Sequence, residues 1–344
     1  MPVARTHSIA LVGVEGYPVE IETDIANGLP CLLLVGLPDT ALREARDRIR
    51  AAIINSHEQW PQRRVTVGLS PASLPKRGSG FDLGIALSIL AASGAIPAAA
   101  IDGVAFLGEL GLDGRLRPVR GVLPAMAAAA RAGFVKVVVA QANAAEAALV
   151  PGLRVVGAPT LAGLLAWLRG EPASGDEEVA CTVPAPLDQP ARPGQPGQPT
   201  RLGEPGWPQG LLPGLPLEPA LAGVPGPGGE VRAGAAAGRA GRPCPRPDLS
   251  EVLGQPAARR AAEICAAGGH HLSLLGPPGA GKTMLAERLP TVMPALDRIA
   301  ALEVTSIHSV AGTLPAGSPL LTEPPFCAPH HTATKAAIVG GGTR

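Results

Sequence analysis

Gly276-Pro277-Pro278-Gly279-Ala280-Gly281-Lys282-Thr283 fits the pattern G-x-x-x-x-G-K-[ST] at every position. A polyphosphate needs many converging donors and no side chain in the way. Gly276, Gly279 and Gly281 lack a Cβ, so the backbone can curl its N–H groups inward around an anion. Lys282 supplies a full positive charge for the β- and γ-phosphates, and the Thr283 hydroxyl suits the coordination shell of a Mg²⁺ carried by the nucleotide. Leu272–Leu275 reads as a short apolar strand before the loop, and Lys282 to about Val292 as a helix after it. Strand, glycine loop and helix in that order define an α/β module, with the positive end of the helix aimed at the anion. The motif alone admits ATP or GTP; the two prolines in the loop lean towards ATP.

Outward from the loop, Pro256 to Ala267 reads as a helix stopped by Gly268-Gly269. This ordered segment runs over 248–344. Before it, 171–247 holds 17 Pro and 14 Gly in 77 positions and no periodic apolar pattern. Such a stretch cannot bury enough apolar surface to offset its ordering entropy, and is expected to be a disordered linker.

Residues 1–170 alternate strand-like and helix-like runs. Ser8–Val14, Val19–Ile25, Cys31–Val35, Val65–Leu69, Val104–Leu107, Val135–Ala140 and Arg154–Val156 are rich in strand-forming residues. Asp39 suits the N-cap of a helix to about Ser56, with Leu42, Ala45, Ile49 and Ile53 on one face. Phe81–Ser93, Leu123–Ala132 and Thr160–Arg169 read as further helices, and Leu112-Asp113-Gly114-Arg115 has hairpin-turn chemistry. The whole predicts an α+β or α/β domain. Leu83 to Ile101 carries no charge over 19 residues, but Gly94-Ala95-Ile96-Pro97 breaks it. A buried core helix followed by a turn is expected there, not a membrane span.

Composition excludes several classes. The net charge of +1 gives no global field for nucleic acid, and eight aromatic residues are too few for a base-stacking platform. Residues 1–170 carry 16 basic and 13 acidic side chains, and Lys76, Arg77, Arg115, Arg117 and Arg120 are candidates for a modest basic face. The five cysteines stand far apart with no C-x-x-C, which argues against a zinc ribbon or disulfide scaffold and fits a reducing cytoplasm. His270-His271 and His330-His331 are adjacent pairs, a poor spacing for a shared metal.

Asp248-Leu249-Ser250-Glu251-Val252-Leu253-Gly254-Gln255, Gly268-Gly269-His270-His271-Leu272, the glycine loop, Ile307-His308-Ser309-Val310-Ala311-Gly312 and Pro325–Thr332 together resemble the AAA+ module of the Mg chelatase-like family, of the competence-protein ComM or YifB type. Val14-Glu15-Gly16, Gly36-Leu37-Pro38-Asp39, Asn55-Ser56 and Pro75–Leu83 resemble that family's N-terminal domain. The resemblance covers about 5–170 and 248–344. It implies an N-terminal domain similar to the Lon protease domain and ribosomal protein S5 domain 2, and Gly254 and Gln255 as candidates for the adenine side of the site. It also implies ATP and Mg²⁺ as cofactors, a homo-hexamer, and DNA processing such as branch migration. The alternatives it leaves are a metal-insertion motor of the magnesium-chelatase type and a Lon-like protein-remodelling factor. Lon-type proteolysis uses a Ser–Lys pair. Here Ser79 stands one residue from the Ser position, Leu123 occupies the Lys position, and no Lys lies between Lys76 and Lys136. The resemblance therefore implies no peptidase activity. Between 284 and 344 no apolar strand ends in Asp-Glu; Glu287, Asp297, Glu303 and Glu323 lack that setting. The family would place its Walker B acids, sensor and arginine finger beyond 344. The expectation is a chain cut within the AAA+ module, binding ATP without efficient hydrolysis.

Overall fold

In the computed structural model, residues 3–36, 40–76, 78–171, 179–182, 247–314 and 320–339 are described. Two compact units form: Met1–Gly210 with Thr305–Pro319, and Leu211–Val304 with Leu320–Arg344.

The first unit is an α/β layer structure. Its strands are β1 (Ala4–Val12), β2 (Glu15–Ala26), β3 (Cys31–Val35), β4 (Arg64–Ser70), β5 (Val104–Leu107), β6 (Glu109–Leu110), β7 (Leu116–Arg117), β8 (Lys136–Ala140), β9 (Arg154–Ala158) and β10 (Ala180–Thr182). Its helices are α1 (Thr40–Asn55), α2 (Asp82–Ala92), α3 (Ala98–Ile101), α4 (Val122–Arg131), α5 (Ala144–Ala147) and α6 (Leu161–Arg169). Among the described residues eight strands make one mixed sheet in the order β10-β9-β8-β5-β1-β2-β4-β3, while β6 and β7 form a separate hairpin. The pairs β1–β5, β5–β8, β8–β9 and β3–β4 are parallel; β1–β2, β2–β4 and β9–β10 are antiparallel. The hairpin turn falls at Leu112–Arg115, as its residues predict, with Gly114 at φ +82°.

Side-chain alternation along β1 and β2 puts a helix on each face of the sheet. A Cβ built on Gly84 of α2 would lie 2.8 Å from Ile21 Cδ1 and 3.8 Å from Thr6 Oγ1, so α2 rides on that face. The Thr6 hydroxyl donates to the Gly84 carbonyl at 2.9 Å, and Thr23 and Ser88 share a hydrogen bond of 2.7 Å, both pairs buried. All of Asp82–Ala91 is buried, so the uncharged run is a core helix ending at Ser93. Among the described residues no helix is long and apolar enough to cross a membrane. Ala45, Ile49 and Ile53 of α1 are fully buried in the same core. Asp39 and the side chain of Leu42 lie outside the described residues.

On the other face α4 comes closer still. A Cβ on Gly16 would meet Ala128 Cβ at 2.5 Å, Ile9 Cγ2 at 3.0 Å and the Pro124 carbonyl at 3.2 Å. Neither a Cβ nor a backbone oxygen can swing aside. Gly16→Ala is therefore expected to push α4 off β2 and to destabilise the fold by about 1–3 kcal/mol. Urea unfolding checks this as a lower midpoint at unchanged slope; an unchanged midpoint would mean that the helix yields freely.

Two expectations about the first unit need correction. β10 lies inside the stretch read as linker: Ala180, Cys181 and Thr182 pair antiparallel with Gly157, Val156 and Val155 of β9. Three residues are too short for a periodicity signal, and an open sheet edge supplies the ladder that orders them. The rest of that linker, 172–178 and 183–246, is outside the described residues. Lys76 is no part of a basic face. It is fully buried, with its ammonium donating to the carbonyls of Pro71 and, at 3.1 Å, Leu74. Backbone carbonyls of its own loop take the charge that the sequence suggested was in water. Arg77 lies outside the described residues; Arg115, Arg117 and Arg120 are exposed.

The second unit contains α7 (Pro256–Gly268) and α8 (Lys282–Arg288), continued by a 3₁₀ turn over Leu289–Val292. Then come α9 (Arg298–Ala311), whose last residues group with the first unit, and α10 (Lys335–Val339). Pro290 lacks the N–H that would extend α8, which explains the change to a 3₁₀ turn within the predicted helix. Leu249, Val252, Ala262 and Leu285 form a small core, with Leu272 and Leu274 packed on it. Leu272–Leu275 is not a strand, however: among the described residues no ladder partner lies beside it, and Leu275 is wholly exposed. Alternating burial is present, but the cross-strand hydrogen bonds that define a strand are not.

Candidate functional site

The glycine loop joins the apolar segment 272–275 to the first turn of α8. Gly279 and Gly281 take φ of +81° and +79°, a left-handed conformation that a side chain would strain. A Cβ at Gly279 would meet nothing within 4 Å, so the loop presents bare backbone to open space there. Gly281 is the N-cap of α8 and its carbonyl accepts the Leu285 N–H at 3.0 Å. Pro278 through Met284 line an open cleft of about 380 Å³.

Lys282 folds back over the loop. Its ammonium donates to the carbonyls of Gly276 at 2.8 Å and Pro277 at 2.7 Å. An ammonium has three donors, so two hold the loop closed on itself and a third is left for an anion. Thr283 is exposed beside it. Ala280 N–H donates to the Pro277 carbonyl at 3.3 Å, closing the turn across the two prolines. Pro278–Thr283 line the cleft, and Lys282 ties Gly276 and Pro277 to it. Of the two candidates upstream, Gly254 has φ +73° and Gln255 φ +48°, and the Gln255 carboxamide donates to the Ala280 carbonyl at 3.2 Å. The segment carrying Gln255 is tied to α8 as well. Arg288 donates to the Asp248 carbonyl at 3.2 Å and pairs with Glu251 at 2.8 Å.

The residues present fit a polyphosphate: a Cβ at Gly279 would meet nothing within 4 Å, Gly279 and Gly281 take left-handed φ, and Lys282 lines the cleft. Its site would be held by Gly276–Thr283, with the Thr283 hydroxyl available to a nucleotide-borne Mg²⁺.

Sequence reasoning missed a polar cluster in the first unit. The fully buried Asp82 carboxylate accepts Arg48 Nε at 3.0 Å and Nη2 at 3.3 Å, and the Leu110 N–H at 3.4 Å. Beside it the Ser79 hydroxyl donates to Glu109. Ser79, which the resemblance sets one residue from a Lon-type nucleophile, is thus engaged by a carboxylate. Leu123, which it sets at the Lys position, is buried. Burial pushes the Asp82 carboxyl up to about 6, against the pull of Arg48. In the folded chain Asp82 holds its proton to higher pH than when unfolded. Its contribution is then most favourable in acid and weakens as pH rises from about 4 through 6. Asp82→Asn should remove that slope, on the order of 2 kcal/mol between pH 4.5 and 7. Urea unfolding at the two pH values measures it; an identical slope in both proteins would contradict the assignment.

Comparison with known proteins gives the family. Residues 21–143 match the family described as subunit ChlI of Mg-chelatase, and 248–344 match magnesium chelatase, subunit ChlI. The chain is 44% identical over 344 residues to an uncharacterized protein of Mycobacterium tuberculosis, all of this chain and 57% of that one. It is 35% identical over 342 residues to the uncharacterized protein YifB of Escherichia coli, 99% of this chain and 56% of that one. It is 36% identical over 343 residues to competence protein ComM of Haemophilus influenzae, all of this chain and 57% of that one. The chain belongs to the Mg chelatase ChlI-like family, of the YifB and ComM type. It spans a little over half the length of these relatives.

Proposed function

We propose that this chain binds Mg-ATP at Gly276–Thr283 and is the nucleotide-binding part of a cytoplasmic AAA+ motor that acts on DNA. The observation that carries the nucleotide reading is the complete G-x-x-x-x-G-K-T motif on a loop with left-handed Gly279 and Gly281 and Lys282 at the cleft. Loop N–H groups hold the polyphosphate, Lys282 neutralises it, and Thr283 steadies its Mg²⁺. Bound Mg-ATP supplies a phosphoanhydride bond whose cleavage can drive movement. The DNA reading draws on the family and on the name of the ComM relative, a competence protein. A homo-hexamer and an N-terminal domain of the Lon and ribosomal S5 domain 2 type belong to the same reading, as does the absence of peptidase activity. The exposed Arg115, Arg117 and Arg120 are where the first unit would touch a phosphate backbone. A second reading, a metal-insertion motor, is favoured by the chelatase-subunit description of both matched families.

Fluorescence anisotropy separates the two. With Mg-ATP present, a labelled DNA junction is expected to bind the chain more tightly than without nucleotide, with affinity falling as salt rises. Nucleotide binding with indifference to DNA, and a response to a Mg-porphyrin instead, would favour the second reading.

A further inference from the structure

Gln255 combines two features that do not ordinarily coincide. It sits in the left-handed region, at φ +48° and ψ +50°, although it is neither Gly nor Asn. It also precedes Pro256, and a residue before proline is normally driven to extended backbone. Such a conformation is strained and persists where surrounding structure demands it. Here it follows a second left-handed residue, Gly254 at φ +73°. The two turns bring the chain into α7, where the Gln255 carbonyl accepts the Arg259 N–H at 3.0 Å. They also carry the Gln255 side chain across to a loop 25 residues away, where Nε2 donates to the Ala280 carbonyl at 3.2 Å. The seat is close: a Cβ on Gly281 would come 3.0 Å from the same Nε2.

That carbonyl belongs to the peptide unit whose N–H is Gly281's. In a planar trans peptide the C=O and N–H point in opposite directions. Fixing the Ala280 oxygen on Gln255 therefore fixes the Gly281 N–H on the opposite edge of the peptide. Without that hold, the peptide between Ala280 and Gly281 has the freedom to flip, since the flip turns φ of a glycine, which tolerates either sign. We propose that Gln255 is a positioning residue of the phosphate loop, holding the Ala280–Gly281 peptide so that the Gly281 N–H is presented to a polyphosphate. The ligand feature it serves is the phosphate chain and not the base. This rests on the phosphate-loop reading, since it assigns a supporting role within that loop.

The test is isothermal titration of the full chain with Mg-ATP and, separately, with Mg-tripolyphosphate, which has the phosphates and no base. Gln255→Leu keeps the bulk and removes the donor. It is expected to weaken both ligands alike, by about fivefold, the worth of one ordinary hydrogen bond. Gln255→Gly keeps the left-handed backbone without strain and also removes the donor. It should show the same loss, which separates the side chain from the backbone and covers a Leu variant that fails to fold. Amide exchange at Gly281 should quicken in both variants. A loss confined to Mg-ATP would place Gln255 at the base, and unchanged affinity for both ligands would mean that the loop holds its own shape; either result overturns the proposal. Wild-type binding, and its loss in Lys282→Ala, report on the phosphate-loop reading independently. Absence of wild-type binding would remove that reading and this inference together.

Discussion

Lys282→Ala should weaken Mg-ATP binding about 100-fold or more. Lys282 carries the only full charge in the loop, and charge-assisted hydrogen bonds contribute roughly 1.5–3 kcal/mol each. The ammonium also bridges the carbonyls of Gly276 and Pro277, so the substitution removes the anion's partner and loosens the loop that would hold it. Lys282→Arg restores charge but not shape, since a planar guanidinium is larger and less adaptable than an ammonium. It should recover only part of the affinity. Equilibrium titration measures both variants, and equal affinity for wild type and Lys282→Ala would show that binding occurs elsewhere.

Phe106→Ala should cost about 3–5 kcal/mol of stability. Phe106 is fully buried on β5, which lies between β1 and β8 in the sheet. Its Cβ stands 3.9 Å from where a Cβ on Gly84 of α2 would lie, so the ring belongs to the layer that joins sheet and helix. Neighbours on a packed sheet cannot collapse into the space left behind. Thermal unfolding of the first unit should move down by roughly 6–20 °C. By contrast Leu33, on the edge strand β3, is 39% exposed, and Leu33→Ala should have a small effect. A comparable shift for the two would contradict the placing of β5 at the centre.

The residues that made the fold legible are those whose signal is local. Val65–Leu69, Val104–Leu107 and Val135–Ala140 are dense in β-branched and apolar residues and became strands within a residue or two at each end. Thr160 announced α6, and its hydroxyl accepts the Gly163 N–H at 3.0 Å. Gly269 announced the end of α7 by taking the left-handed C-cap. The bend of the glycine loop was legible for the same reason: Gly279 and Gly281, which take left-handed φ, stand within eight consecutive residues.

What escaped depends on the path of the backbone or on partners distant in sequence. Lys76 looked like a surface charge because nothing nearby shows that Pro71 and Leu74 turn their carbonyls onto it. Arg48 and Asp82 are 34 residues apart, and their pairing needs α1 to pack beside α2. The bond from Gln255 to the Ala280 carbonyl, 25 residues on, likewise has no local signal. Leu272–Leu275 shows the converse: its apolar run promises a strand, yet a strand exists only with a neighbour to bond to.

The central claim is that the backbone of Gly276–Thr283 is where a nucleoside triphosphate binds. An amide-resolved NMR titration of the chain with Mg-ATP tests it most directly. The expected result is a saturable shift largest at the amides of Gly279, Gly281, Lys282 and Thr283, reproduced by Mg-tripolyphosphate. Saturable shifts centred on any other segment, or none at millimolar Mg-ATP, would contradict it.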